Sequence, residues 1–146
     1  MLSLTSADIS LNYQANSPED AIKAAGELLV QTNKVEERYI DAMVQAFQEI
    51  GPYIVIAPQI AIPHARPENG VLEPGVSLVR LKEPVQFGHA ANDPVKLICA
   101  ICGTDSDSHM GMLQSLAGVL GNKNKLAAIM NADSKEEIIS ILNGEG

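Results

Sequence analysis

The chain of 146 residues contains three histidines, His64, His89 and His109, and they are the first groups to test for chemistry. His64 stands in Ile60-Ala61-Ile62-Pro63-His64-Ala65-Arg66-Pro67, between two prolines. Each proline fixes its own φ and biases the residue before it towards extended geometry. A histidine held this way loses little further entropy when it presents one ring nitrogen outward. Arg66, two residues on, carries a planar fork of donors suited to phosphate oxygens. A nucleophilic imidazole beside a phosphate-binding cation is what phosphoryl transfer to histidine requires. On residue chemistry alone, a polar loop histidine beside a surface arginine is the plainer reading.

His109 lies in Asp105-Ser106-Asp107-Ser108-His109, at the first turn of an apolar-striped helix. Free backbone N–H groups and the positive helix end favour an anion there and disfavour a charged imidazole. The ring is thus expected to serve as a neutral hydrogen-bonding partner. The plainer alternative is an exposed first-turn residue, with Met110 to Leu120 simply packing into the core.

His89, in Phe87-Gly88-His89-Ala90-Ala91-Asn92-Asp93-Pro94, sits in a turn-rich loop and reads as a surface histidine. Three histidines could in principle hold zinc, but no H-x-x-x-H or similar spacing supports it, and no metal is expected. Cys99-Ala100-Ile101-Cys102 matches C-x-x-C, yet lies in an apolar run that reads as a strand. Positions i and i+3 of a strand face opposite sides, so packed core thiols are expected rather than a redox pair.

Other function classes are disfavoured by what is absent. There is neither a G-x-x-x-x-G-K-[ST] loop nor a G-x-G-x-x-G after a strand, so no nucleotide cofactor is expected. A net charge of −8, with no Trp, three Tyr and two Phe, argues against nucleic acid. No stretch approaches the roughly 20 apolar residues that span a bilayer. The start, MLSLTSADISLN, has no basic n-region, and the two cysteines form no disulfide framework. A cytoplasmic protein is the expectation.

These side chains must be positioned by the elements between them. Ser17-Pro18-Glu19-Asp20 is a helix start, with a capping Ser, Pro at the first helical position and acids in the first turn. Ala21, Ile22, Ala25, Leu28 and Leu29 then recur at helical spacing. A second helix spans about Glu36 to Ile50, with Ile40, Met43, Val44, Phe47 and Ile50 inward, and ends at Gly51-Pro52. Tyr53 to Ala57, Val76 to Leu81 and Val95 to Cys102 are short apolar, β-branched runs typical of buried strands. A proline- and glycine-punctuated loop joins the first two. Helices return near Ser108, with Met110, Leu113, Leu116, Ala117 and Leu120 inward, then at Lys125–Met130. A last helix opens on the capping box Ser134-Lys135-Glu136-Glu137 and buries Ile138, Ile141 and Leu142. The pattern predicts an α/β sandwich built on a mixed β-sheet. One domain over residues 1–146 is expected, with 1–16 as a less certain leading segment.

The run from Ala57 through Pro63-His64-Ala65-Arg66-Pro67 resembles the active-site signature of the enzyme IIA proteins of the bacterial phosphotransferase system, mannitol/fructose class. The likeness continues through Phe87, Asn92-Asp93-Pro94-Val95 and Ser108-His109. Gly51-Pro52-Tyr53, the Pro58 step, Arg66-Pro67 and His89 before Asn92-Asp93-Pro94 are most similar to the ascorbate-type branch. The resemblance implies a three-layer α/β sandwich, a mixed β-sheet flanked by helices on both faces, and that His64 takes a phosphoryl group from phosphohistidine on the carrier HPr. The group would pass to a cysteine of enzyme IIB, and so to a sugar entering through the membrane enzyme IIC. It implies that His109 contacts the phosphoryl group, while Arg66 is added as a clamp from its spacing. Mannitol-type members have an arginine near where this chain has Gln48-Glu49, so Arg66 or Arg38 would have to supply that charge. The alternative of another class is a regulatory protein, phosphorylated by HPr, that feeds no transporter.

Overall fold

The computed structural model describes residues 2–144. Among these described residues, five strands form one mixed sheet: β1 (Ile9–Tyr13), β2 (Val55–Ala57), β3 (Ile60–Ala61), β4 (Gly75–Val85) and β5 (Val95–Cys102), in the order β1-β4-β5-β3-β2. Pairs β1·β4 and β3·β5 run parallel, while β4·β5 and β2·β3 run antiparallel. The α-helices among the described residues cover it: α1 (Pro18–Gln31), α2 (Glu37–Ile50), α3 (Ser106–Leu120), α4 (Lys123–Asn131) and α5 (Lys135–Leu142). The α/β sandwich with a mixed sheet is therefore as the sequence predicts.

The layers follow from the alternation along the central strands. Leu97, Cys99 and Ile101 face one cluster, with Leu116 and Leu120 of α3, Ile129 of α4 and Ile138 of α5. Ile98, Ala100 and Cys102 face the other, with Ile22 and Leu29 of α1 and Tyr39, Met43 and Phe47 of α2. Cys99 and Cys102 thus enter opposite cores as free thiols, and burial pushes both up to about 12. They are packed apolar groups rather than a redox pair.

Local signals set the helix ends. The Ser17 side chain accepts from Asp20 N at 3.1 Å and caps α1, whose first residue is Pro18. Gly51, at φ 100°, closes α2 in a backbone region that side chains rarely adopt. Asp105 caps α3, so this helix starts ahead of the predicted Ser108. At α5, Ser134 accepts from Glu137 N at 3.3 Å. Of the predicted capping box this is the half present among the described interactions.

Within the leading segment, strand β1 pairs in parallel with β4, and Leu2, Leu4 and Ile9 are buried. Several expectations need correction. The predicted strand Tyr53–Ala57 begins as a 3-10 turn, Pro52–Ile54, and only Val55–Ala57 pairs. Its partner β3 lies in what reads as loop. Ile50, expected inward, is 67 % exposed, and Met110 is also exposed. Ala117 is exposed as well, because α3 rests on the sheet mainly through its last turns, Leu116, Val119 and Leu120. Among the described residues, no helix is long and apolar enough to cross a membrane.

Candidate active site

Strands β3 and β5 pair in parallel, with Ile60 opposite Leu97 and Ala61 opposite Ile98. The chain therefore leaves both at the same edge of the sheet, where ligands of open α/β sheets commonly sit. His64 lies just past β3, and His109 lies in the first turns of the helix that follows β5. Their ring centroids are 5.0 Å apart, with the planes inclined by 59°.

The His64 loop is held along its length. Ile62 N–H donates to Ile54 O at 2.8 Å, and Ile101 N–H donates to Pro63 O at 3.1 Å. Ala65 N–H donates to the Tyr39 hydroxyl at 2.9 Å. That hydroxyl donates in turn to Ile101 O at 2.8 Å, with Ala65 O at 3.2 Å also in reach. The ring is fixed too: Nδ1 lies 3.0 Å from Ile62 O. A carbonyl only accepts, so Nδ1 carries a proton, and in the neutral ring Nε2 keeps the lone pair. Tyr53 packs edge-on against the same ring at 6.1 Å.

The two histidines line a cleft of about 550 Å³ between α2, the His64 loop and the start of α3. Its walls are apolar where α2 supplies Ala42, Ala46 and Ile50, and where Tyr53 and Met110 approach. This explains why Ile50 and Met110 remain exposed: they form the rim. Gly103 opens the turn from β5 into α3. A Cβ there would lie 2.8 Å from His109 N, so only glycine lets this helix start settle so close.

Arg66 lines the cleft and has no acidic partner among the described residues. Arg38 is engaged elsewhere, with Glu36 Oε1 at 3.3 Å and Glu68 O at 3.0 Å. Of the two arginines proposed to supply the cation, Arg66 is the one in the cleft. Burial, and then the neighbouring His64, push the His109 imidazole below its ordinary value. It is thus neutral at pH 7, as its helix position suggests.

His89 lies outside the cleft. Its Nδ1 accepts from Ala91 N and Asn92 N, while the Asp93 carboxylate accepts from Phe87 N, Gly88 N and His89 N. The side chains of this loop shape the loop itself. Among the described residues, no group of three or more His, Cys, Asp or Glu side chains could hold a metal ion.

Comparison with known proteins decides the family. Residues 3–145 match the family model "Phosphoenolpyruvate-dependent sugar phosphotransferase system, EIIA 2". The chain belongs to this EIIA family. It is thus a phosphotransferase component of a sugar phosphotransferase system. An ascorbate-specific EIIA component of Salmonella choleraesuis (strain SC-B67) is 38 % identical over 139 residues, covering 92 % of this chain and 90 % of that one. The cryptic mannitol-specific enzyme IIA of Escherichia coli has the same fold, with TM-score 0.87 and 32 % identity over 97 % of this chain and 96 % of that one. The mannitol enzyme IIA of Escherichia coli, solved in complex with phosphorylated enzyme IIB, aligns with TM-score 0.87 and 28 % identity. That alignment covers 99 % of this chain and 100 % of that one.

Two residues of this EIIA site escape sequence reading. Tyr39 precedes the inward series Ile40, Met43, Phe47, and a buried tyrosine with a polar tip usually has a partner for it. Gly103 stands between an apolar strand and an Asp/Ser helix start, where a close backbone approach is the usual reason for glycine.

Proposed function

We propose that His64 is the phosphoryl acceptor of this EIIA protein, with phosphohistidine on HPr as donor and an enzyme IIB cysteine as recipient. The observation that carries this is the Nδ1···Ile62 O hydrogen bond, which leaves Nε2 as the nucleophile beside His109 and Arg66. The Nε2 lone pair attacks phosphorus, a P–N bond forms, and the donor's P–N bond breaks with its electron pair returning to the donor ring. The His64 ring gains positive character in this step, and the Ile62 carbonyl dipole is already aimed at its Nδ1–H. Onward transfer reverses the logic. A thiolate attacks phosphorus, and the P–N electron pair returns to Nε2.

The transfer needs alignment and charge stabilisation more than covalent machinery. Arg66 contributes a fork of donors to the phosphoryl oxygens, and neutral His109 donates one N–H. The apolar rim of Ile50, Tyr53 and Met110 gives partners a docking surface that excludes water. The net charge of −8 steers basic partner surfaces towards the molecule.

The same proposal takes residues 1–146 as one working domain. It places the protein in the cytoplasm, where the donor and the transporter's cytoplasmic parts meet, with enzyme IIC reached only through IIB. Similarity to the ascorbate-specific EIIA components supports ascorbate as the sugar served.

Intact-protein mass after incubation with phosphoenolpyruvate, enzyme I and HPr tests the reading. The wild type gains one phosphoryl group and His64→Ala gains none. A labelled His64→Ala protein, or an unlabelled wild type, overturns it. Relative rates of transfer to ascorbate-type and mannitol-type IIB then test the sugar.

A further inference from the structure

We infer that Tyr39 is a positioning residue for the His64 relay, its hydroxyl fixing the backbone on the far side of His64. This inference rests on the relay reading. The loop around His64 is secured by two backbone attachments that flank the histidine. On the Pro63 side, the Ile101 N–H holds the Pro63 carbonyl at 3.1 Å, an extension of the β3·β5 ladder. On the Ala65 side no strand is available, and a side chain from α2 does the work. The Tyr39 hydroxyl accepts the Ala65 N–H at 2.9 Å and donates to Ile101 O at 2.8 Å. Ile101 therefore anchors both ends, once directly and once through the phenol.

Tyr39 is suited to this task by its setting. Its ring is fully buried in the core between α2 and the sheet, so the hydroxyl has little freedom. Burial raises the phenol well above its ordinary value, so it keeps the proton that it donates to Ile101. Without the hydroxyl, Ala65 N–H and Ile101 C=O each lose a partner, and, among the described residues, the segment carrying His64 and Arg66 spans from Pro63 O to the next holds, at Glu68 O and Gly70 O, with none between. Small displacements matter, because in-line attack tolerates roughly 1 Å of misplacement only at a cost of about a hundredfold in rate.

The test is Tyr39→Phe, which keeps the ring and deletes the oxygen. At saturating phospho-HPr the transfer rate is expected to fall about tenfold or more, with KM changed by less than about twofold. Nitrogen-15 NMR of the unphosphorylated protein supplies a readout that simple destabilisation does not move. Wild-type His64 is expected as the Nδ1–H tautomer, and Tyr39→Phe as a mixture. Wild-type rates with unchanged His64 shifts overturn the inference, and so does a loss confined to KM. If Tyr39→Phe does not fold, a backbone ester at Ala65 removes only the N–H that Tyr39 accepts. The same loss of rate is expected there, and an undiminished rate overturns the claim. If the wild type takes no phosphoryl group, the relay reading fails by itself. The His64 shifts then still judge Tyr39: altered shifts uphold its positioning role, unaltered ones end it.

Discussion

His64 and His109 face each other with ring centroids 5.0 Å apart, although one follows β3 and the other sits on α3. The first holds its Nδ1 proton against Ile62 O, and the second is kept neutral by burial and by the first. In the proposed relay these surroundings suit the two rings to different roles, acceptor for His64 and hydrogen-bond donor for His109.

The lowered His109 value carries a sign that can be checked. Its proton is bound more weakly in the folded chain than in the unfolded one, so below about pH 6.5 the unfolded state takes up more protons. Stability contributed by the neutral ring is complete above that pH and is lost as pH falls through the folded value. Chemical denaturation of wild type and His109→Gln between pH 7 and 5 should show a shallower acid loss in the variant. Identical slopes would remove His109 from the account. Phosphorylation of His64 should then raise the His109 value, because a phosphoryl group beside it favours the charged ring.

Gly103→Ala should slow phosphoryl transfer without unfolding the sheet. The new Cβ would lie 2.8 Å from His109 N and 2.9 Å from its Cα, so the start of α3 must shift away from residue 103 and carry His109 with it. Stopped-flow transfer from phospho-HPr should show a loss of about tenfold or more, by the same sensitivity to placement. A wild-type rate would mean that the position of His109 is not critical.

The two arginines should separate cleanly. Losing one charge-assisted contact costs about 1.5–3 kcal/mol, so Arg66→Ala should slow transfer roughly 10- to 150-fold. Arg66→Lys should recover only part of this, because a point charge replaces a fork. Arg38→Ala should leave the rate unchanged, since Arg38 is engaged with Glu36 and Glu68. The reverse ranking would assign the phosphate clamp to Arg38.

Gln59→Gly should stabilise the fold. Gln59 follows Pro58 in the β2–β3 turn with φ 70°, the left-handed region that type II turns give to glycine. Relief of that strain, less the added freedom of the unfolded chain, leaves a gain of about 0.5–1 kcal/mol. Thermal unfolding should show a higher Tm, and a lower one would refute the strain.

Arg80 is a buried cation whose Nη1 donates to Ile129 O at 2.9 Å and Met130 O at 3.4 Å. Those carbonyls belong to the last turn of α4, the negative end of the helix. Arg80→Met keeps much of the volume and deletes the bonds, so urea denaturation should show a loss of about 1.5–3 kcal/mol. A neutral result would mean that water replaces the guanidinium there.

Much of this protein is legible locally. Ser17-Pro18 sets the start of α1, and the apolar run Val95–Cys102 gives β5 at its observed bounds. The two-residue alternation alone sends Cys99 and Cys102 into opposite cores. Strand β3 is illegible because Ile60–Ala61 is too short for any period to show. Ile50 fits the helical stripe, yet it forms the cleft rim, because a hydrophobic period states which face is apolar but not where the covering layer ends.

The residue types and spacing of Pro63-His64-Ala65-Arg66-Pro67 determined by themselves what chemistry was available, and the caps and periods determined most of the elements. These signals act within a few residues, so a single sequence displays them. Only the tertiary structure decided that β3 and β5 run side by side in parallel, which delivers His64 and His109 to one edge of the sheet. It also decided which arginine shares their cleft and placed the Tyr39 hydroxyl between Ala65 and Ile101. Those relationships depend on strand pairing and on how closely layers approach, which are set by packing between distant segments.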